Sequence, residues 1–283
     1  SVPACQGICK KAIASRLGEV YMMETLPETG AEYTVKVTIL KDRVTLTVDT
    51  SGFGLHKRGY RVKTVAAPIK ETLAAAMVQL SFWNKDRVLL DPCCGSGTIA
   101  IEAAMIGRNI APGLSRSFAC EEWEAIDKKL WKEEKKRAYD LMDNTSKLDI
   151  VAIDIDKMAI DAAKENAVEA GVDDCIRFIN ADMSRIKASQ PSGIIITNPP
   201  YGERIGERKQ IAAIYSKYKK FFAENPSWSM FMVTTDKDIE GKVFGRKADR
   251  RRKLYNGRLE VCYYQFHGKK LGDNGKAKQA EQK

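Results

Sequence analysis

Histidine is almost absent. His56 and His267 are the only two in 283 residues, too few to build a zinc centre around. The seven cysteines do not make up the shortfall. Cys5, Cys9, Cys93, Cys94, Cys120, Cys175 and Cys262 are odd in number and scattered, which argues against a disulfide framework. Cys93 and Cys94 are adjacent, and no second pair stands at metal-ligand spacing, so no metal is expected. Long hydrophobic runs are missing too: nothing approaches the ~20 apolar residues of a membrane-spanning helix. Ser1-Val2-Pro3 opens no signal peptide. The chain therefore reads as cytoplasmic and reduced, and Ser1 in place of a Met suggests a fragment. No internal repeat is present.

What is there is charge and a sizeable core. Hydrophobic residues make up 44% of the chain and charged residues 30%. That suits one large domain plus a smaller one. Lys and Arg number 47 against 37 Asp and Glu, a net charge of +10. The excess favours an anionic partner, nucleic acid before membrane, although solubility alone would also account for it.

Residues 4–17 carry apolar positions at helical spacing. Tyr33 to Leu40 and Arg43 to Asp49 alternate strictly around Lys41-Asp42, a β-hairpin. One helix and one hairpin make a poor independent core. His56 to Lys63 is a basic run with one aromatic, either a solvated connector or a nucleic-acid contact. Pro68 starts a helix running to Leu80. Strands then alternate with helices. The strands are 88–90, 150–153, 176–179, 194–197 and 230–234; the helices are 98–106, 157–170 and 210–223. Residues 108–148 interrupt the alternation with a long charged helix, 121–142. An Asn256-Gly257 turn leads into a last strand, 261–266. This order predicts an α/β fold, a mostly parallel sheet covered on both faces with an antiparallel strand at the end.

Two loops carry the chemistry. Asp91-Pro92-Cys93-Cys94-Gly95-Ser96-Gly97-Thr98 joins a strand to its helix. Gly95 and Gly97 allow close backbone approach and positive φ. The spacing also fits a weak dinucleotide fingerprint. Asp91 argues against a nicotinamide cofactor, because its charge would face a pyrophosphate, and Asp154 comes too late for the usual ribose acid. S-adenosylmethionine carries no phosphate, and an acid beside its ammonium is favourable. Asp154 and Asp156 end the next strand, and Asp154 is the better candidate to hold ribose hydroxyls. Asp182 ends the strand after that and can accept from an adenine amine. Each strand-end Asp taken alone is better read as a helix N-cap; acids after two successive strands, joined to a Gly-x-Gly after the first, favour the ligand reading. The candidate cofactor set is Asp91, Cys93, Gly95, Ser96, Gly97, Thr98, Asp154, Ile155, Asp182, Met183 and Asn198. The second loop follows Ile194-Ile195-Ile196-Thr197: Asn198-Pro199-Pro200-Tyr201. The prolines forbid continuation and hold Asn198 at the carboxyl edge of a sheet. The Asn198 side-chain oxygen and the Pro199 carbonyl can accept the two hydrogens of an exocyclic amine, and Tyr201 offers a face for a base. A rigid turn beside a packed tyrosine is the plainer alternative.

These stretches together resemble the class I S-adenosylmethionine-dependent methyltransferases, in particular the THUMP-domain ribosomal RNA guanine-N2 methyltransferases. The resemblance runs over about residues 1–268. It rests on the two loops above, on 49–52 and Leu55-His56-Lys57-Arg58-Gly59-Tyr60-Arg61, on 67–74, on Asn109 to Gly113, on Asp154-Ile155-Asp156 and on Gly202-Glu203-Arg204. It implies a Rossmann-like seven-stranded sheet with an antiparallel last strand, preceded by a partial THUMP α+β segment. Residues 1–62 would be the C-terminal part of that THUMP-like domain, 63–268 the methyltransferase domain with insertion 108–148, and 269–283 a disordered tail. It further implies S-adenosyl-L-methionine as cofactor and methyl transfer to guanine N2 in RNA, with large-subunit ribosomal RNA as the expected target. Asn198, Pro199 and Tyr201 would be catalytic; Lys57, Arg58, Arg61, Arg250, Arg251 and Lys253 would contact RNA. Transfer RNA guanine, another amino-methyl target, or a non-catalytic RNA-binding scaffold are the alternatives.

Overall fold

The computed structural model describes residues 1–65, 68–201 and 207–271, with side chains left aside at 207–210. The polar tail beyond 271 lies outside the described residues, as do Ala67 and Gly202, Glu203 and Arg204 of the family pattern. No helix among the described residues is long and apolar enough to cross a membrane.

The chain forms two compact units, Ser1–Leu55 with Arg116–Lys136, and His56–Ser115 with Arg137–Lys283. In the first unit, α1 (Val2–Tyr21) accompanies an antiparallel hairpin of β1 (Thr34–Leu40) and β2 (Arg43–Asp49). Lys41 and Asp42 make its turn, both at positive φ. No residue of α1 is buried. Residues 116–123 are tied to the hairpin and its exit. Arg116 donates to the carbonyls of Ser51 and Gly54 (3.1 and 3.0 Å), and Trp123 stacks on Tyr33 at 4.7 Å while its Nε1 donates to the Glu32 carbonyl. This pull explains a difference from the expected helix 121–142. Trp123 takes an extended conformation after a short 3-10 turn, Ala119–Glu122, and the α-helix, α4, starts only at Lys128 and ends at Asp140.

The second unit is built on a seven-stranded sheet. Its strands are β3 (Leu89–Asp91), β4 (Ile150–Asp154), β5 (Ile176–Asn180), β6 (Ile194–Thr197), β7 (Ser229–Thr234), β8 (Arg250–Asn256) and β9 (Leu259–Phe266). Their order is β5-β4-β3-β6-β7-β9-β8, with β9 antiparallel to both neighbours. Both faces are apolar, as the β-branched runs require. Leu89, Ile194, Ile196, Phe231 and Tyr263 form one buried face with α2 (Glu71–Gln79), α3 (Thr98–Gly107) and α5 (Lys157–Glu169). Leu90, Ile153, Ile195, Met230 and Met232 form the other with Tyr215, Tyr218 and Phe221 of α6 (Glu207–Glu224). Each such side chain contributes about 1.5–3 kcal/mol on burial.

α2 starts at Glu71 rather than Pro68 because tertiary partners claim the backbone before it: the Arg61 guanidinium takes the Ile69 carbonyl at 2.9 Å, and Lys70 is extended. The basic run at 250–253 is also resolved. It is the start of the edge strand β8, with Arg250 to Lys253 all exposed. Cationic side chains on an edge keep it from pairing with another sheet.

Candidate active site

The strand order reverses between β3 and β6, and ligands of open α/β sheets bind at the carboxyl ends flanking such a reversal. The candidate residues lie there. Asp91, the last residue of β3, is fully buried. Its Oδ1 accepts from the Cys93 N–H at 3.4 Å, and its Oδ2 is buried with no hydrogen-bond partner among the described residues. Burial, helped by the Asp154 charge, pushes its carboxyl up to about 8. Cys93 Sγ lies 3.7 Å from the Tyr218 hydroxyl. Burial and the Asp91 charge push its thiol up to about 12. The surroundings therefore favour the thiol over the thiolate.

Gly95 and Gly97 both have positive φ, 53° and 81°. A Cβ on Gly97 would stand 2.9 Å from Ala163 Cβ on α5, so the second glycine serves helix packing as well as the turn. The Gly95 N–H donates to Asp154 Oδ2 at 2.9 Å, and Cys94 N–H to the Ile153 carbonyl at 2.9 Å. Asp154 therefore meets the glycine loop directly. Asp156 instead caps α5, accepting from Met158 N–H at 2.8 Å. Ile155 between them is exposed, as is Met158.

Asp182 serves two partners. It caps a short 3-10 turn, accepting from Ser184 N–H at 2.7 Å, and it pairs with Lys217 Nζ at 2.5 Å. Lys217 and the Ser184 N–H hold its carboxyl down at about 2. Met183 is buried beside it. Asn198 is half-buried after β6, and Pro199 is buried. The Tyr201 hydroxyl donates to Asn198 Oδ1 at 2.6 Å. Behind the strand ends, buried Tyr218 shares a 3.0 Å hydrogen bond with Thr197. Lys217 and Tyr218 are site residues the sequence did not announce, since a lysine and a tyrosine in an amphipathic helix carry no motif.

The basic candidates divide. Arg58 and Arg61 turn inward: Arg58 pairs with Glu102 at 3.3 Å and Arg61 with Glu71 at 2.7 Å, both side chains largely buried. Ser96 and Thr98 point their hydroxyls at Arg61. Arg251 pairs with Glu240, and Lys253 with Glu260 at 2.7 Å. Lys57 is exposed, as is Arg250. No group of His, Cys, Asp and Glu among the described residues is arranged to hold a metal.

A seven-stranded sheet with one antiparallel strand, a Gly-x-Gly loop after its central strand and acids at the next two strand ends defines the class I methyltransferase fold. Residues 58–265 match the RMKL-like methyltransferase domain family, and the chain belongs to it. It is 47% identical over 273 residues to YpsC of Bacillus subtilis, described as a candidate RNA methyltransferase, covering 95% of this chain and 70% of that protein. It is 40% identical over 248 residues to the ribosomal RNA large subunit methyltransferase K/L of Shewanella baltica, covering 84% of this chain and 34% of that protein. Among solved structures it is similar to SMU.472, complexed with SAH, with a TM-score of 0.87 and 43% identity over 95% of this chain and 71% of that one.

Proposed function

We propose that the chain is an S-adenosyl-L-methionine-dependent methyltransferase that modifies the exocyclic N2 amine of a guanine in RNA, its target being large-subunit ribosomal RNA. S-adenosylmethionine, when bound, supplies an electrophilic methyl group on a sulfonium. The residues present suit it. Asp91 Oδ2, buried and without a hydrogen-bond partner among the described residues, would accept from a cationic donor, and an ammonium there would offset the cost of ionising the buried carboxyl. Asp154 would hold ribose hydroxyls, and Asp182 an adenine amine, with exposed Ile155 alongside.

The observation that carries the reading is the Tyr201 hydroxyl on Asn198 Oδ1. It supports an Asn198 rotamer whose oxygen accepts from a donor on the Tyr201 side. An incoming amine takes that position when the hydroxyl leaves it. Asn198 Oδ1 and the Pro199 carbonyl then accept the amine hydrogens and aim the nitrogen, and the Tyr201 ring stacks on a base taken out of its helix. The amine needs orientation rather than a strong base.

Residues 1–62 are assigned to the C-terminal part of a THUMP-like RNA-binding domain, and 63–268 to the methyltransferase domain. Lys57, Arg250, Arg251 and Lys253 are the cations assigned to the RNA backbone. Arg58 and Arg61 are removed from that set because their guanidiniums are largely buried in their pairs with Glu102 and Glu71, whereas Arg251 and Lys253 stay exposed in theirs with Glu240 and Glu260. The test is transfer of a radiolabelled methyl group to ribosomal RNA, followed by nucleoside analysis. Label in N2-methylguanosine supports the assignment; label in N6-methyladenosine or none in RNA overturns it.

A further inference from the structure

The segment at 58–63 is fastened to the glycine loop at several points. Arg61 donates from Nε to Glu71 at 2.7 Å, from one terminal nitrogen to Ser96 Oγ at 3.2 Å, and from the other to Thr98 Oγ1 and the Ile69 carbonyl, each at 2.9 Å. A planar fork with five N–H groups can satisfy such a set; an ammonium cannot. Asn166 on α5 is 1% exposed and makes the second tie. Its Oδ1 accepts from the N–H groups of Val62 and Lys63, at 2.9 and 3.0 Å. Its Nδ2 donates to the carbonyls of Lys63 and Ser96, at 2.9 and 3.1 Å. A flipped amide would set its donors against two N–H groups, so these partners fix its orientation. Through one side chain, the backbone at 62–63 and the backbone at Ser96 are held together. Arg58 and Tyr60 hold the same segment to Glu102 on α3.

We propose that Arg61 and Asn166 are positioning residues that couple segment 58–63 to the glycine loop. Order in the segment then raises affinity for the cofactor, and the cofactor raises order in the segment. Coupling of this kind is reciprocal by thermodynamic necessity. His56 and Lys57 link the segment to Leu55, where the first stretch of the N-terminal unit ends. The inference rests on the reading of that loop as the S-adenosylmethionine site.

Amide hydrogen exchange in the full chain, with and without S-adenosylmethionine, tests it without any substitution. Saturating cofactor should slow exchange at Val62 and Lys63, and Arg61→Lys, checked as folded by circular dichroism, should weaken cofactor binding by on the order of tenfold and reduce that slowing. Calorimetric binding with unchanged exchange at Val62 and Lys63 overturns the coupling and leaves the cofactor reading standing. Absence of binding to the wild type overturns both.

Discussion

Replacing Asp91 with asparagine should stabilise the protein while abolishing its site, and the stabilisation should depend on pH in a defined way. Asp91 has an ordinary carboxyl value of 3.8 that burial raises to about 8. The unfolded chain releases the proton near 3.8, whereas the folded chain keeps it to about 8. Between those values the folded state binds more protons, so the wild type loses stability as pH rises. The contribution is fully present below 3.8 and gone above about 8. Asparagine has the same shape and does not titrate. The stability difference, variant minus wild type, should therefore grow by about 1.4 kcal/mol per pH unit, equivalent to roughly 2–4 °C in melting midpoint for a chain of this size. It should level off above pH 8. The ceiling is about 5–6 kcal/mol, reduced by whatever water reaches the site. Thermal melts of both proteins at unit pH steps from 4 to 9 measure it. A difference that stays flat from pH 5 to pH 8 would refute the argument that Asp91 is buried and neutral. The same titration predicts that S-adenosylmethionine affinity of the wild type rises with pH through about 8, as the carboxylate forms.

Other outcomes follow from the site and the edge strand. Asn198→Ala should cost on the order of 10²-fold or more in turnover, read in a single-turnover RNA assay; unchanged turnover removes Asn198 from the reaction. Tyr201→Phe frees Asn198 Oδ1 yet keeps the ring, so it should hold base affinity, whereas Tyr201→Ala should lose about 1–3 kcal/mol of stacking, measured as RNA affinity; equal losses from both would contradict stacking. Arg250→Glu should shrink the slope of log binding against log salt by about 0.7–0.9 per lost phosphate contact, and an unaltered slope would clear that strand of RNA. Gly97→Ala, with φ at 81° and a Cβ 2.9 Å from Ala163 Cβ, should lower the melting midpoint, and an unshifted midpoint would mean that α3 and α5 adjust freely.

The sheet was legible wherever a strand was an uninterrupted β-branched run with punctuation at both ends. β6 falls on Ile194–Thr197 as expected because Gly193 and Pro199 bound it. Asp91 and Asp154 close β3 and β4, whereas Asp182 lies two residues beyond the end of β5. The errors share a cause, which is tertiary competition. Periodicity extends α4 back to 121, but Trp123 is extended and stacked on Tyr33, and the α-helix begins at Lys128. Pro68 is a good helix start, but Arg61 claims the Ile69 carbonyl. Arg61 itself reads as a surface cation in a basic run, and only the fold brings Glu71, Ser96 and Thr98 around it. Lys217 meets Asp182 across 35 positions of chain, and no local pattern announces such a pair.

The central claim is that the carboxyl ends of β3, β4, β5 and β6 hold S-adenosylmethionine. Calorimetric titration of that cofactor into the wild type and into Asp182→Ala tests it most directly. Saturable binding to the wild type, weakened in the variant, is the predicted result. No heat of binding from the wild type, or equal affinity in the two proteins, would contradict the placement of the cofactor across these strand ends.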